Sequence, residues 1–205
     1  MKDFFAFESC GYGTTFAASA EEFERYLLRK EFSEAGSFYD KLILGDYKDI
    51  QFPVIYHELK GGSSGKRMRD ILDTRHPPLY LISDRFKVIL EESYITGWKS
   101  YPIALFDKKG NRIEGYNGFS ITGRAGKMQK FDQLPLEYGY SANADGYYFD
   151  IETWDGSDLF HAEGDMIDIF ASERFIKVLV DNKITACEYY RLTDMRDWRK
   201  YKRIH

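Results

Sequence analysis

Three carboxylates crowd one indole in Glu152-Thr153-Trp154-Asp155-Gly156-Ser157-Asp158-Leu159-Phe160. If apolar neighbours raised the pKa of one of them, it would be a general acid beside an ionised partner, as in a hydrolytic enzyme. The same stretch reads as a turn, with Asp155 and Ser157 bonding the local backbone, Gly156 at positive φ, and Trp154 and Phe160 packed inward. In a third reading Trp154, Asp155, Ser157 and Asp158 form a corner that offers an aromatic ring and charge to a protein partner.

Other chemistries fail on spacing. Gly61 and Gly65-Lys66 enclose three residues where a phosphate loop needs four, and Arg67 stands where its metal-binding hydroxyl belongs. His57, His76, His161 and His205 are scattered, with no pair at ligand spacing on one helix face. Asn143-Ala144-Asp145-Gly146 starts like a calcium loop, but its Gly comes too early and position twelve is Trp154. Gly118-Phe119-Ser120-Ile121-Thr122 ends wrongly for a nucleophile elbow. Cys10 lacks a recognisable base partner, and with Cys187 it makes no zinc or redox spacing, so both read as free cytosolic thiols. These failures point away from an enzyme and imply no cofactor and no metal.

The stretch from Arg191 to His205 carries Arg191, Arg196, Arg199, Lys200, Lys202 and Arg203 against Asp194 and Asp197, interleaved with Trp198 and Tyr201. Such a tail can stack on and neutralise nucleic acid. It can equally pair with an acidic protein, which makes Trp198 and Arg199 candidate partner-binding residues. The whole chain has a net charge of −4, which gives no electrostatic reason to seek nucleic acid or anionic lipid. No apolar run approaches the ~20 residues that span a bilayer, and the first residues lack a signal peptide's apolar region. A cytoplasmic protein without membrane contact is expected.

The elements that must position these residues read as mixed strand with a few short helices, an α+β pattern with a largely antiparallel sheet. Residues 3–8 predict a strand. Ser19 and Glu22 make a capping box ahead of Phe23, Tyr26 and Leu27 at helical spacing. Residues 41–44 and 50–56 predict strands, the second at an edge because of Pro53. Residues 60–78 hold a flexible stretch, a short helix over 67–73 and the breaker His76-Pro77-Pro78, and suggest a junction between lobes at 1–60 and 79–205, unless the chain is one compact domain. Asp107 to Asn111 predicts a hairpin loop, and 123–130 a basic loop.

Ser83-Asp84-Arg85-Phe86, followed by Leu90 and Ile95-Thr96, returns 89 positions later as Ser172-Glu173-Arg174-Phe175, Leu179 and Ile184-Thr185. Each Ser is placed to cap a helix that feeds a strand at Ile95 or Ile184, so one helix–strand unit (83–98 and 172–187) is expected twice.

This unit, Ile95-Thr96-Gly97-Trp98, and Trp154-Asp155-Gly156-Ser157-Asp158 with Phe160 together resemble a bacterial family of immunity proteins of polymorphic toxin systems. It is the type named after a myxobacterial protein and formerly called a domain of unknown function. The resemblance covers residues 79–190 and departs in the second copy, where Ala186-Cys187 replaces Gly97-Trp98. It implies a cytosolic inhibitor that binds a cognate toxin, with no cofactor and no reaction. The expected function is therefore neutralisation of a partner toxin by direct contact. The alternatives are a hydrolase using carboxylates around Trp154 and a nucleic-acid binder acting through the tail.

Overall fold

The computed structural model describes residues 3–10, 13–60, 64–74, 76–130, 147–192 and 202–204. Its fold is α+β, with strands of β-branched and aromatic residues packed in two largely antiparallel sheets and four α-helices among the described residues.

The larger sheet has eight strands. In chain order they are β2 (Ala17–Ala20), β3 (Val54–Glu58), β4 (Ile71–Thr74), β5 (Tyr80–Ser83), β6 (Trp98–Tyr101), β7 (Ile103–Phe106), β8 (Arg112–Ile113) and β9 (Tyr116–Ile121). Their spatial order is β6-β9-β5-β4-β2-β3-β7-β8. The edge strand β6 runs through Pro102 straight into β7 near the other edge, and Val54 N–H donates to Pro102 O at 3.1 Å. A one-residue link between strands so far apart in the order requires the sheet to roll almost closed.

The smaller sheet has six strands, ordered β10-β13-β14-β1-β15-β16. These are β1 (Phe4–Ser9), β10 (Gly123–Ala125), β13 (Leu159–Ala162), β14 (Asp165–Ser172), β15 (Cys187–Arg191) and β16 (Lys202–Ile204). A separate ribbon pairs β11 (Gln129–Lys130) with β12 (Tyr147–Tyr148). Strands from both sides of residues 60–78 enter both sheets: β1 lies between β14 and β15, and β3 lies between β2 and β7.

Four helices complete the fold: α1 (Glu21–Leu28), α2 (Phe32–Leu44), α3 (Asp84–Glu92) and α4 (Glu173–Asp181). α3 and α4 form as their sequences dictate. Ser83 accepts from Phe86 N–H at 3.1 Å and Ser172 from Phe175 N–H at 3.3 Å, each with an acidic residue in the first turn where the helix dipole favours it. Phe86, Leu90, Phe175 and Leu179 are all fully buried. They join Phe7, Ile82, Phe119 and Leu159 in one core drawn from both sheets, with the Phe86 and Phe175 rings 6.4 Å apart.

Several sequence expectations are corrected. Residues 41–44 are the last turn of α2, not a strand; Leu42 and Ile43 are buried, and Gly45 ends the helix in the left-handed conformation. Residues 67–73 form no helix, because Ile71 to Thr74 are buried as β4. Ser19 does not cap α1. It lies in β2, its hydroxyl bonds Glu24, and Ala20 precedes the helix without a side-chain cap. Pro53 precedes β3, which is an interior strand between β2 and β7, so no ladder donor is lost. Part of the 123–130 loop is strand, β10 and β11.

The strands after α3 and α4 begin three residues late, at Trp98 and Cys187 rather than at Ile95 and Ile184. Tyr94 and Lys183, then Gly97 and Ala186, take positive φ in these turns. That geometry frees Thr96 and Thr185 for contacts described below.

Candidate partner-binding surface

The Trp154 corner follows a single 3₁₀ turn, Ile151–Thr153. Trp154 turns inward: its ring lies edge-on to Phe4 at 5.0 Å and beside Phe160 at 6.0 Å, and its indole N–H donates to Ser157 O at 2.9 Å. Asp155 accepts from Arg124 N–H at 2.8 Å and from Ser157 N–H at 2.9 Å, and Gly156 adopts φ +87°. Ser157 fills the space over two glycines. A Cβ at Gly97, itself at φ +82°, would come within 2.0 Å of Leu159 O and 2.6 Å of Ser157 Cβ.

Asp158 is 6% exposed and accepts five hydrogen bonds. The donors are Thr96 N–H and hydroxyl (both 3.0 Å), Ser172 hydroxyl (2.7 Å), and Arg174 Nε (3.0 Å) and Nη2 (2.5 Å). Asp70, which sequence reasoning passed over, has the matching set: Thr185 N–H (3.0 Å) and hydroxyl (2.9 Å), Ser83 hydroxyl (2.9 Å) and Arg85 Nη1 (2.8 Å). Asp70 thus grips the turn after α4, and Asp158 grips the turn after α3. Burial alone would raise both carboxyls, but these hydrogen bonds outweigh it and hold both below the usual carboxylate range. A general acid needs the opposite shift, and the two carboxylates are occupied separately, Asp155 by backbone N–H donors and Asp158 by backbone and side-chain donors. Glu152 is exposed on the 3₁₀ turn. Trp198 and Arg199 lie outside the described residues.

Raised carboxyls stand elsewhere, on strands that meet only in the fold. Glu8 on β1 faces Glu188 on β15 in register, and Asp168 on β14 flanks its other side. Burial, then Glu188 and Asp168, push Glu8 up to about 7; burial and the neighbouring Asp165 push Asp168 to about 6. His161, 1% exposed, meets Asp168 O through Nδ1 at 2.8 Å, and burial lowers it to about 4. Among the described residues no group of three His, Cys, Asp or Glu side chains could hold a metal ion. Cys10 and Cys187 are both buried, and neither is in a disulfide.

Two large apolar residues stand exposed together at the α1–α2 turn, Leu28 at 84% and Phe32 at 68%, whereas Tyr94 and Ile167 are exposed elsewhere. α1 has strongly segregated polar and apolar faces but no fully buried residue. From Phe32 a groove of about 410 Å³ runs along α2 past Ser33, Gly36, Ser37 and Asp40 to Leu44. Sequence reasoning missed this corner because it read no helix over residues 32–44 and so had no face on which to place Phe32 beside Leu28.

No described helix is long and apolar enough to cross a membrane. The chain matches no protein-family model and no curated protein sequence.

Proposed function

We propose that this protein is a binding module that neutralises a partner toxin by direct contact, as its resemblance to immunity proteins of polymorphic toxin systems implies. The observation that carries the reading is the α1–α2 corner, two large apolar side chains held in water beside an open groove. Covering a Leu or Phe side chain is worth about 1.5–3 kcal/mol, and a few such anchors dominate protein interfaces. Asp155 and Asp158, two of the three carboxylates that suggested hydrolysis, are engaged in holding turns together. The neutralising surface therefore lies on α1 and α2, and the partner covers Leu28 and Phe32.

Co-expression with the toxin encoded beside the gene tests this. The wild-type chain restores growth and co-purifies with the toxin. Leu28→Asp with Phe32→Asp, both exposed and so tolerated by the fold, weakens the complex about a hundredfold, by removing two anchors of about 1.5 kcal/mol each. Failure of the wild-type pair to form a complex or rescue growth defeats the reading. Undiminished binding by the double variant places the interface elsewhere.

A further inference from the structure

Lys66, Arg67 and Arg69 lie within four residues, with Met68 between them 40% exposed. Lys66 and Arg67 are exposed and Arg69 is partly so. The backbone here is fixed: Arg67 N–H donates to Thr14 O at 3.1 Å, Phe16 N–H donates to Arg67 O at 2.9 Å, and the Tyr116 hydroxyl donates to Arg69 O at 2.9 Å. The three cationic side chains, by contrast, have no ion-pair or hydrogen-bond partner among the described residues. Arg85, half-exposed beside its partner Asp70, donates to Asn182 O, which brings the Asn182-Lys183 turn to the same side.

The segment before Asp158 shows what the fold itself asks of these positions. There Trp154 packs inward, Asp155 holds Arg124 N–H, and Ser157 fills the space over Gly97 and Gly123. Lys66 to Arg69 stand in the corresponding four positions before Asp70 and make no such side-chain contact. Their like charges repel one another on a chain whose net charge is −4, and an anionic partner would relieve that repulsion.

We propose that Lys66, Arg67, Met68 and Arg69 form a docking ridge for an acidic, Glu- or Asp-rich protein segment. A protein partner suits the ridge better than nucleic acid does. Four residues span at most about 13 Å even when fully extended, too short to follow a phosphate backbone far. No exposed aromatic ring interleaves the cations, whereas Arg and an exposed, adaptable Met are enriched at protein interfaces. The ridge lies at the start of β2, where Thr15 bridges to Arg67, and α1 begins at its other end, so it is separate from the Leu28–Phe32 corner. The inference therefore stands independently of toxin neutralisation.

The probe is a fluorescein-labelled peptide of repeated Glu-Glu-Leu units, titrated with the full chain by fluorescence polarisation. The wild-type chain binds it, and raising salt from about 50 to about 200 mM weakens the complex. Arg67→Glu with Arg69→Glu weakens binding about tenfold or more, and Lys66→Gln with Arg67→Gln gives a smaller loss should charge reversal perturb folding. Leu28→Asp with Phe32→Asp leaves peptide affinity unchanged. Absence of peptide binding, or equal binding by wild type and both ridge variants, overturns the proposal. Tighter ridge-dependent binding of an oligothymidylate than of the peptide also overturns it, in favour of a phosphate ligand.

Discussion

A carboxylate taken out of water is tolerated only when its lone pairs are met by donors and its charge by a cation. Asp70 and Asp158 satisfy both conditions, each with a Ser hydroxyl, a Thr hydroxyl and amide, and an arginine. Glu8 and Asp168 satisfy neither fully, since burial and neighbouring carboxylates favour their protonated forms. The two pairs therefore respond to pH with opposite signs. The contribution of Glu8 is complete below its ordinary value of 4.5 and is lost as pH rises through about 7, and that of Asp168 is lost through about 6. The contributions of Asp70 and Asp158 are present above the ordinary 3.8 and are lost as pH falls through their lowered values. Facing Glu8 are Asp168, Glu188, the Tyr190 hydroxyl and, further off, Asp73. Thermal unfolding should show Tm falling as pH rises from about 5 to about 8, and Glu8→Gln should flatten that fall. A slope unchanged by Glu8→Gln would show that the carboxylate row does not set it. Asp158 was visible in the sequence beside Trp154. Asp70 was not, because Thr185, which identifies its role, lies 115 positions away.

Helices α3 and α4 were legible because their signals are local: a Ser cap, an acidic first turn, and apolar residues at helical spacing. The turns after them were not. Ile95-Thr96 and Ile184-Thr185 have the composition of strand starts, yet Thr96 grips Asp158 and Thr185 grips Asp70, and the strand waits for Trp98 or Cys187. Residues 41–44 failed for a different reason: a short apolar run fits a buried strand or a helix end equally well, and only Gly45 decides. Phe86 and Phe175 sit at the centre of the shared core, each next to a phenylalanine from the sheet, Phe119 and Phe7 respectively. Phe175→Ala should cost about 3–5 kcal/mol in denaturant unfolding, as should Phe86→Ala. A loss below about 1 kcal/mol at either site would contradict their placement in the core.

In the whole molecule, β1 and β3 each lie between two strands distant from them in sequence, and the aspartate clasps tie α3 to the turn after α4 and α4 to the turn after α3. Such long-range pairing leaves little local trace, which is why the N-terminal residues gave the sequence reading least. Residues 3–8 read as a strand there, but its neighbours β14 and β15 were not visible. The interlocked sheets leave α1 and α2 as an appended pair with exposed apolar side chains, and the functional account rests on that pair. Amide hydrogen exchange of the chain, free and bound to the toxin encoded beside its gene, tests this claim most directly. The account predicts that binding slows exchange across Tyr26 to Ser37 while amides of the Trp154 corner exchange as in the free chain. Protection confined to another surface, or no protection at saturating toxin, would contradict it.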